Sequence, residues 1–158
     1  MVNTINRAEK TYWVVVADES KAIFYTRDTR RAPLLEFLKL ENAAGRMKAG
    51  EILADRGGRS FDSVGAGRHT MAVEKSDPKK QAATGFARQI AERIGEATHD
   101  GSCRGYALIA APRFLGMLRS AASKKCQFEP FTTIDKDVVG QDTAVLKKLV
   151  DSELEVSA

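Results

Sequence analysis

Side chains suited to binding an anion are concentrated between positions 51 and 70, in the stretch EILADRGGRSFDSVGAGRHT. Its glycines allow the backbone to approach a partner closely, and its arginines and histidine carry planar donors that suit phosphate or carboxylate oxygens. The candidate binding residues are Arg56, Gly57, Gly58, Arg59, Asp62, Gly65, Gly67, Arg68 and His69. The pattern predicts a binding loop. The alternative interpretation is a mobile connection whose charges keep it solvated.

Arg113 is a further candidate for anion binding. Pro112 ends an apolar run and favours the start of a helix, which places Arg113 in the first turn. A helix N-terminus attracts an anion, and an arginine there strengthens the attraction. The alternative is an ordinary surface arginine.

The residues that could support catalysis or hold a metal form no complete constellation in the sequence. Asp18 follows a predicted strand, but a two-metal phosphodiesterase needs several converging carboxylates. We therefore interpret Asp18 as a turn residue and keep a hydrolase as an alternative function. We expect no enzymatic activity, no cofactor and no metal. Cys103 and Cys126 have no ligand or nucleophile partner, so both are expected to be reduced and packed; the alternative is a disulfide between them.

Length and composition predict one globular domain over residues 1–158. The chain is 43% hydrophobic and 29% charged, and no apolar run approaches the roughly 20 residues that span a bilayer. The first ten residues, MVNTINRAEK, lack the apolar core of a secretory signal, so the expected location is the cytoplasm. The sequence does not predict an oligomeric state.

The net charge of +4 is distributed unevenly along the chain. Residues 43–128 hold fifteen Lys and Arg against eight Asp and Glu, whereas residues 129–158 hold three against seven. A basic middle suits a polyanion such as RNA, and the alternative is a solvated charged face.

Hydrophobic patterning predicts three strands, a long loop, and then alternating helices and strands. The predicted strands are 12–18, 22–26, 34–40, 106–111 and 128–134, the last an edge strand because of Pro130. A polar Gly/Arg loop occupies 41–77. Helices are predicted from Asp77-Pro78 to Asp100-Gly101, from Pro112, and from Asp142 or Thr143, with a frayed tail at 152–158. This order, β-β-β-(long loop)-α-β-α-β-α, predicts an α/β fold with a mixed sheet of the ribonuclease H-like type.

Three blocks of the sequence resemble a known bacterial family. They are WVVVADESKAIFY near the start, LADRGGRSFDSVGAGRHT in the loop, and LIAAPRFLGMLR after the first helix. Together they resemble the host attachment proteins, also called proteins required for attachment to host cells, from residue 12 to residue 150. Members of that family are similar in fold to the middle domain of archaeal and eukaryotic peptide-chain release factors, which is ribonuclease H-like.

The resemblance implies a host-attachment protein without enzymatic activity that binds a partner inside the cell through its Gly/Arg loop. The partner is expected to be a protein involved in attachment or, as the release-factor likeness implies, RNA or the ribosome. Release factors carry a Gly-Gly-Gln loop, whereas here Gly57 and Gly58 precede Arg59. The glutamine that accompanies peptide release is missing, so the implied role is binding.

Overall fold

The structure, a computed structural model, describes residues 10–42 and 77–157. The predicted loop at 41–77 therefore lies outside the described residues except at its two ends. The described elements are β1 (Thr11–Ala17), β2 (Lys21–Arg27), β3 (Leu35–Glu41), α1 (Pro78–Asp100), β4 (Cys103–Ile109), α2 (Pro112–Lys125), β5 (Thr132–Ile134) and α3 (Thr143–Ser157). The mixed α/β class predicted from the sequence is confirmed.

The five described strands form an open sheet in the order β3-β2-β1-β4-β5. The first three strands are antiparallel, and β4 and β5 run parallel to β1. Val14 at the centre of β1 is paired with Tyr25 of β2 and with Ala107 of β4. The short β5 lies at one edge of the sheet, as Pro130 predicts.

The central strands are buried on both faces, which explains their uncharged sequences. Along β1, Trp13 and Val15 contribute to one hydrophobic cluster and Val14 and Val16 to the other, because successive side chains of a strand point to opposite faces. The run predicted as strand 106–111 behaves in the same way. Its strand residues belong to β4, which starts earlier, at Cys103, and ends at Ile109.

Helices cover the two faces unequally. The apolar stripes of α1 and α2, including Phe86, Ile90 and Phe114, pack in the first cluster. The second cluster receives Leu146 and Val150 from α3. One face of the sheet therefore lies under α1 and α2, and the other lies under α3.

The ends of α1 follow the predicted signals. The side chain of Asp77 accepts a hydrogen bond from the amide of Lys79 at 3.0 Å, and Pro78 occupies the first turn. Gly101 ends the helix with φ of +86°, a conformation that favours glycine. Both boundaries predicted for this helix are confirmed.

The predicted start of the last strand needs correction. The strand predicted at 128–134 is wrong for its first four residues, because the pairing with β4 begins only at Thr132. Before that residue the chain contacts Tyr106 of β4: the Phe128 carbonyl accepts a hydrogen bond from the Tyr106 hydroxyl, and the Phe131 amide donates to the Tyr106 carbonyl. Helix α3 runs through Ser157 and so includes residues 152–157 of the segment predicted to fray.

Candidate functional site

Nine of the ten predicted site residues lie outside the described residues. They are Arg56, Gly57, Gly58, Arg59, Asp62, Gly65, Gly67, Arg68 and His69. The structure does place the last residue described before them, Asn42. The side-chain amide of Asn42, at the end of β3, donates to the carbonyl of Ala82 in α1 at 3.3 Å and to that of Glu19 at 3.0 Å. The chain thus leaves the described region and re-enters it beside the first turns of α1.

Arg113, the tenth predicted residue, lies in the first turn of α2 and is exposed. Its helix starts where β4 has ended, and the Ala110 amide is held by the Ile134 carbonyl at 3.1 Å. The helix begins at Ala111 without a side-chain cap. The positive end of the helix dipole therefore adds to the charge of Arg113.

Arg113 is one of five cationic residues that line a groove between α1 and α2. We call this surface the basic groove, and its volume is about 430 Å³. Its described lining residues are Lys80, Thr84, Arg88, Arg113, Gly116, Met117, Ser120, Ala121, Lys124 and Lys125. None of them is acidic, and all five cationic residues are exposed. A concave surface with charge of one sign concentrates the field that attracts an anion.

Helical spacing explains why these cations share a surface. Lys80, Thr84 and Arg88 are four residues apart, so they follow one face of α1. Arg113, Gly116, Ser120 and Lys124 follow one face of α2 at spacings of three or four. Sequence analysis identified only Arg113, because the two stripes face each other only after the helices pack. The two spacings are the signal that could have identified the others.

Close packing joins the two helices that form the groove. The rings of Phe86 and Phe114 stack at 6.2 Å between centroids and are buried. At the far end, Gly95 brings α1 against the carbonyl of Lys125. The Lys125 ammonium also pairs with the Glu92 carboxylate at 3.4 Å, across two exposed side chains. Exposed pairs of this kind are weak, so Lys125 keeps most of its capacity for another anion.

The charge changes sign beyond this end of the groove. A shallow neighbouring cleft is lined by Glu92, Glu96 and Asp100, together with His99 and Lys125. The basic groove is therefore bounded by acidic side chains at the C-terminal end of α1. A bound anion would be repelled at this end of the groove.

Asp18 has the turn role predicted for it. Its Oδ1 accepts hydrogen bonds from the amides of Ser20 and Lys21, both at 2.8 Å, within the tight connection between β1 and β2. Within residues 10–42 and 77–157, no three His, Cys, Asp or Glu side chains are grouped so that they could hold a metal ion.

Both cysteines are free thiols, as predicted. Burial raises the pKa of Cys103 to about 12, and burial also raises the pKa of Cys126. Their thiolate forms are therefore scarce at neutral pH, which argues against a nucleophilic role.

No helix in the described part of the chain has the length and apolar character needed to cross a membrane.

Comparison with known proteins gives one family. The sequence model of the family described as "Protein required for attachment to host cells" matches residues 13–150. The match spans all five strands of the sheet except the first two residues of β1, and it includes the basic groove. No curated protein matches the sequence. The chain belongs to the family of proteins required for attachment to host cells.

Proposed function

We propose that this family member binds RNA, either free or within the ribosome, through the basic groove and the adjacent Gly/Arg segment at 51–70. The observation that carries the proposal is the lining of the groove, with five exposed cations and no acidic residue among the described ones. The protein would act inside the cell and without catalysis, and its effect on attachment would be indirect.

The chemistry of the groove suits a phosphate backbone better than a single small anion. Its cations come from both ends of α2 and from two turns of α1, so they are spread along the groove. A chain of phosphates can contact several of them at once, and each contact releases a counterion. Serine and threonine side chains, here Ser120 and Thr84, commonly accompany arginine and lysine in contacts with phosphates.

The placement of Asn42, the last described residue before the Gly/Arg segment, supports joint action with the groove. Its side chain contacts the carbonyl of Ala82, in the same turn of α1 as Lys80, a groove residue. Arg56, Arg59 and Arg68 would then add phosphate contacts to those of α1 and α2, with His69 nearby.

We also propose that the scaffold is ribonuclease H-like and release-factor-like. The five-stranded mixed sheet, with three antiparallel strands followed by two parallel ones, supports this part of the proposal. Since Arg59 replaces the glutamine that follows the two glycines in release factors, we propose RNA contact and not peptide release.

The groove can be tested by fluorescence anisotropy with a labelled single-stranded RNA across a salt series. The Arg88→Ala/Arg113→Ala variant should bind more weakly, and its salt slope should fall by about 0.7 for each phosphate that the variant no longer binds. Arg93→Ala is the matched control, because Arg93 is exposed on α1 but is not among the described lining residues. Equal weakening in both variants would reject the groove as the site.

The contribution of the segment needs a separate variant, Arg59→Ala/Arg68→Ala, measured in the same way and by co-sedimentation with ribosomes. This variant keeps every residue of the basic groove. If it no longer binds ribosomes, ribosome contact is assigned to the segment. If the wild-type protein fails to bind RNA or ribosomes at low salt, the proposal is wrong and a protein partner becomes the function to test.

A further inference from the structure

We propose that a second surface of this protein binds a nucleoside phosphate. The surface consists of Tyr12, Arg30, Arg104 and Phe131, which we call the arginine–aromatic cluster. Its ligand would be a phosphate held by guanidinium groups with a nucleobase stacked on them, either as a free nucleotide or as one unit of single-stranded RNA.

The geometry of the cluster brings two guanidinium groups against two rings. The Arg30 Cζ lies 5.6 Å from the ring centre of Tyr12 and 5.4 Å from that of Phe131. The Arg104 Cζ lies 5.2 Å from the ring centre of Tyr12. The rings of Tyr12 and Phe131 meet edge to face, with centres 6.1 Å apart. Each guanidinium is thus within the range of a cation–π interaction.

The backbone builds this arrangement. A Cβ on Gly105 would lie 3.2 Å from atoms of both rings, so the absence of a side chain there lets Tyr12 and Phe131 meet across β4. The register between β1 and β4 shifts at the same place, where Thr11 is paired with Cys103 and Tyr12 with Gly105. The shift leaves Arg104 as the extra residue, beside Tyr12.

The guanidinium groups keep their capacity to bind an anion. Arg30 and Arg104 are exposed, and the ion pairs formed between described residues involve other side chains. An arginine held against a ring retains its in-plane N–H donors, which match two phosphate oxygens. Because the rings restrict the two side chains, less conformational entropy is lost on binding. The outer face of a guanidinium can also stack on a nucleobase.

The cluster is distinct from the basic groove. Phe131 packs against the hydrophobic cluster that contains Leu146 and Val150 of α3. The groove lies between α1 and α2, which cover the opposite face of the sheet. The inference therefore does not depend on RNA binding in the groove, and the Arg88→Ala/Arg113→Ala variant should leave it intact.

The test is an NMR titration of the full chain, following the backbone amides and arginine Nε–H groups, with three probes: adenosine monophosphate, penta-adenylate and inorganic phosphate. We expect saturable shifts at Arg30, Arg104 and Gly105 with the first two probes. If the two nucleotide probes bind with similar affinities, the ligand is a free nucleotide. If penta-adenylate binds more tightly than adenosine monophosphate, the ligand is single-stranded RNA. The Arg30→Lys/Arg104→Lys variant keeps both charges but should bind about tenfold more weakly, the scale of one stacked base.

Three outcomes would overturn the inference. In the first, neither nucleotide probe shifts the resonances of the cluster in the wild-type protein. This experiment uses the wild-type protein alone, so its result does not depend on whether a variant folds. In the second, inorganic phosphate binds as tightly as adenosine monophosphate, which removes the nucleoside from the ligand. In the third, the Arg30→Lys/Arg104→Lys variant binds both nucleotide probes as tightly as the wild-type protein does, which would reduce the effect to charge.

Discussion

A Cβ placed on Gly95 would lie 2.5 Å from the carbonyl oxygen of Lys125, so α1 and α2 meet there backbone to backbone. The oxygen belongs to the last residue of α2, and the neighbouring Cys126 amide is bonded to the Ala122 carbonyl at 2.9 Å. A side chain at position 95 could therefore fit only if the two helix ends moved apart. This contact fixes the angle at which the two cationic stripes face each other.

Replacing Gly95 with alanine should destabilise the protein. The added methyl group would force the helix ends apart, and overpacking of this kind costs about 1–3 kcal/mol. Gly85→Ala is the matched control, because nothing lies within 4 Å of a Cβ at that position of the same helix. That change should stabilise α1 by about 0.5–1 kcal/mol. Urea denaturation of both variants would measure the difference, and equal effects would contradict the proposed packing.

Asp151 should make stability depend on acid pH. Burial would raise the pKa of this carboxyl, but hydrogen bonds from Lys147 at 2.7 Å and Arg27 at 3.1 Å outweigh burial and lower the pKa below its ordinary value of 3.8. Because the folded-state pKa is the lower one, the stabilisation is complete above the ordinary pKa and is lost as the pH falls through the folded-state value.

The Asp151→Asn variant provides the measurement for this pH dependence. Its urea midpoint should be lower than that of the wild-type protein at pH 6, and the gap should narrow toward pH 2. Arg27 is almost fully buried and depends on Asp151 and the Ala32 carbonyl for its hydrogen bonds among the described residues. Removing the ionised carboxylate therefore leaves a buried charge poorly compensated. If the difference between the two urea midpoints did not change with pH, Asp151 would not be the source of the pH dependence.

Removing the carboxylate of Asp18 should weaken the turn between β1 and β2. Two amides, those of Ser20 and Lys21, would lose their acceptor in Asp18→Ala, at a cost of about 1–3 kcal/mol. Asp18→Asn keeps an acceptor oxygen in place and should retain most of the stability. Thermal melting would compare the two variants. If both lost equal stability, the negative charge and not the hydrogen bonds would be the important property.

Native-state alkylation should distinguish the two thiols. Since burial raises the pKa of Cys103 to about 12, iodoacetamide at pH 8 should leave it unmodified in the folded protein. Cys126 is half-buried and should react first, though slowly, because burial also raises its pKa. Mass spectrometry against a urea-unfolded control would report the order. Rapid native labelling of Cys103 would show that its strand opens readily.

Local sequence signals predicted the elements whose causes are local. Asp77, Pro78 and Gly101 mark the ends of α1 through capping and backbone preference, and these preferences act within a few residues. The adjacent leucines at 34 and 35 interrupt the alternation expected along the predicted third strand. The structure explains them, because Leu34 is buried before the strand begins whereas Leu35 is 64% exposed on β3.

Features that depend on distant residues could not be predicted in this way. The basic groove needs α1 and α2, whose facing residues Arg88 and Arg113 are far apart in sequence. The arginine–aromatic cluster needs a register shift between β1 and β4, and no periodicity encodes such a shift. The start of β5 at Thr132 depends on how residues 128–131 pack against Tyr106 of the neighbouring strand. In each case packing, and not propensity, decides the outcome.

The position of α3 has a consequence for how the chain is made. It supplies Leu146, Val150 and Leu154 to one face of a sheet whose first strands are synthesised more than 100 residues earlier. Until α3 has been synthesised, this face of the sheet, which includes Val14, Val16 and Ile23, stays exposed. Exposed faces of this kind promote misassembly in partly folded chains. A nascent chain halted before Leu146 should therefore depend on chaperones, and release of α3 should complete the fold in one late step.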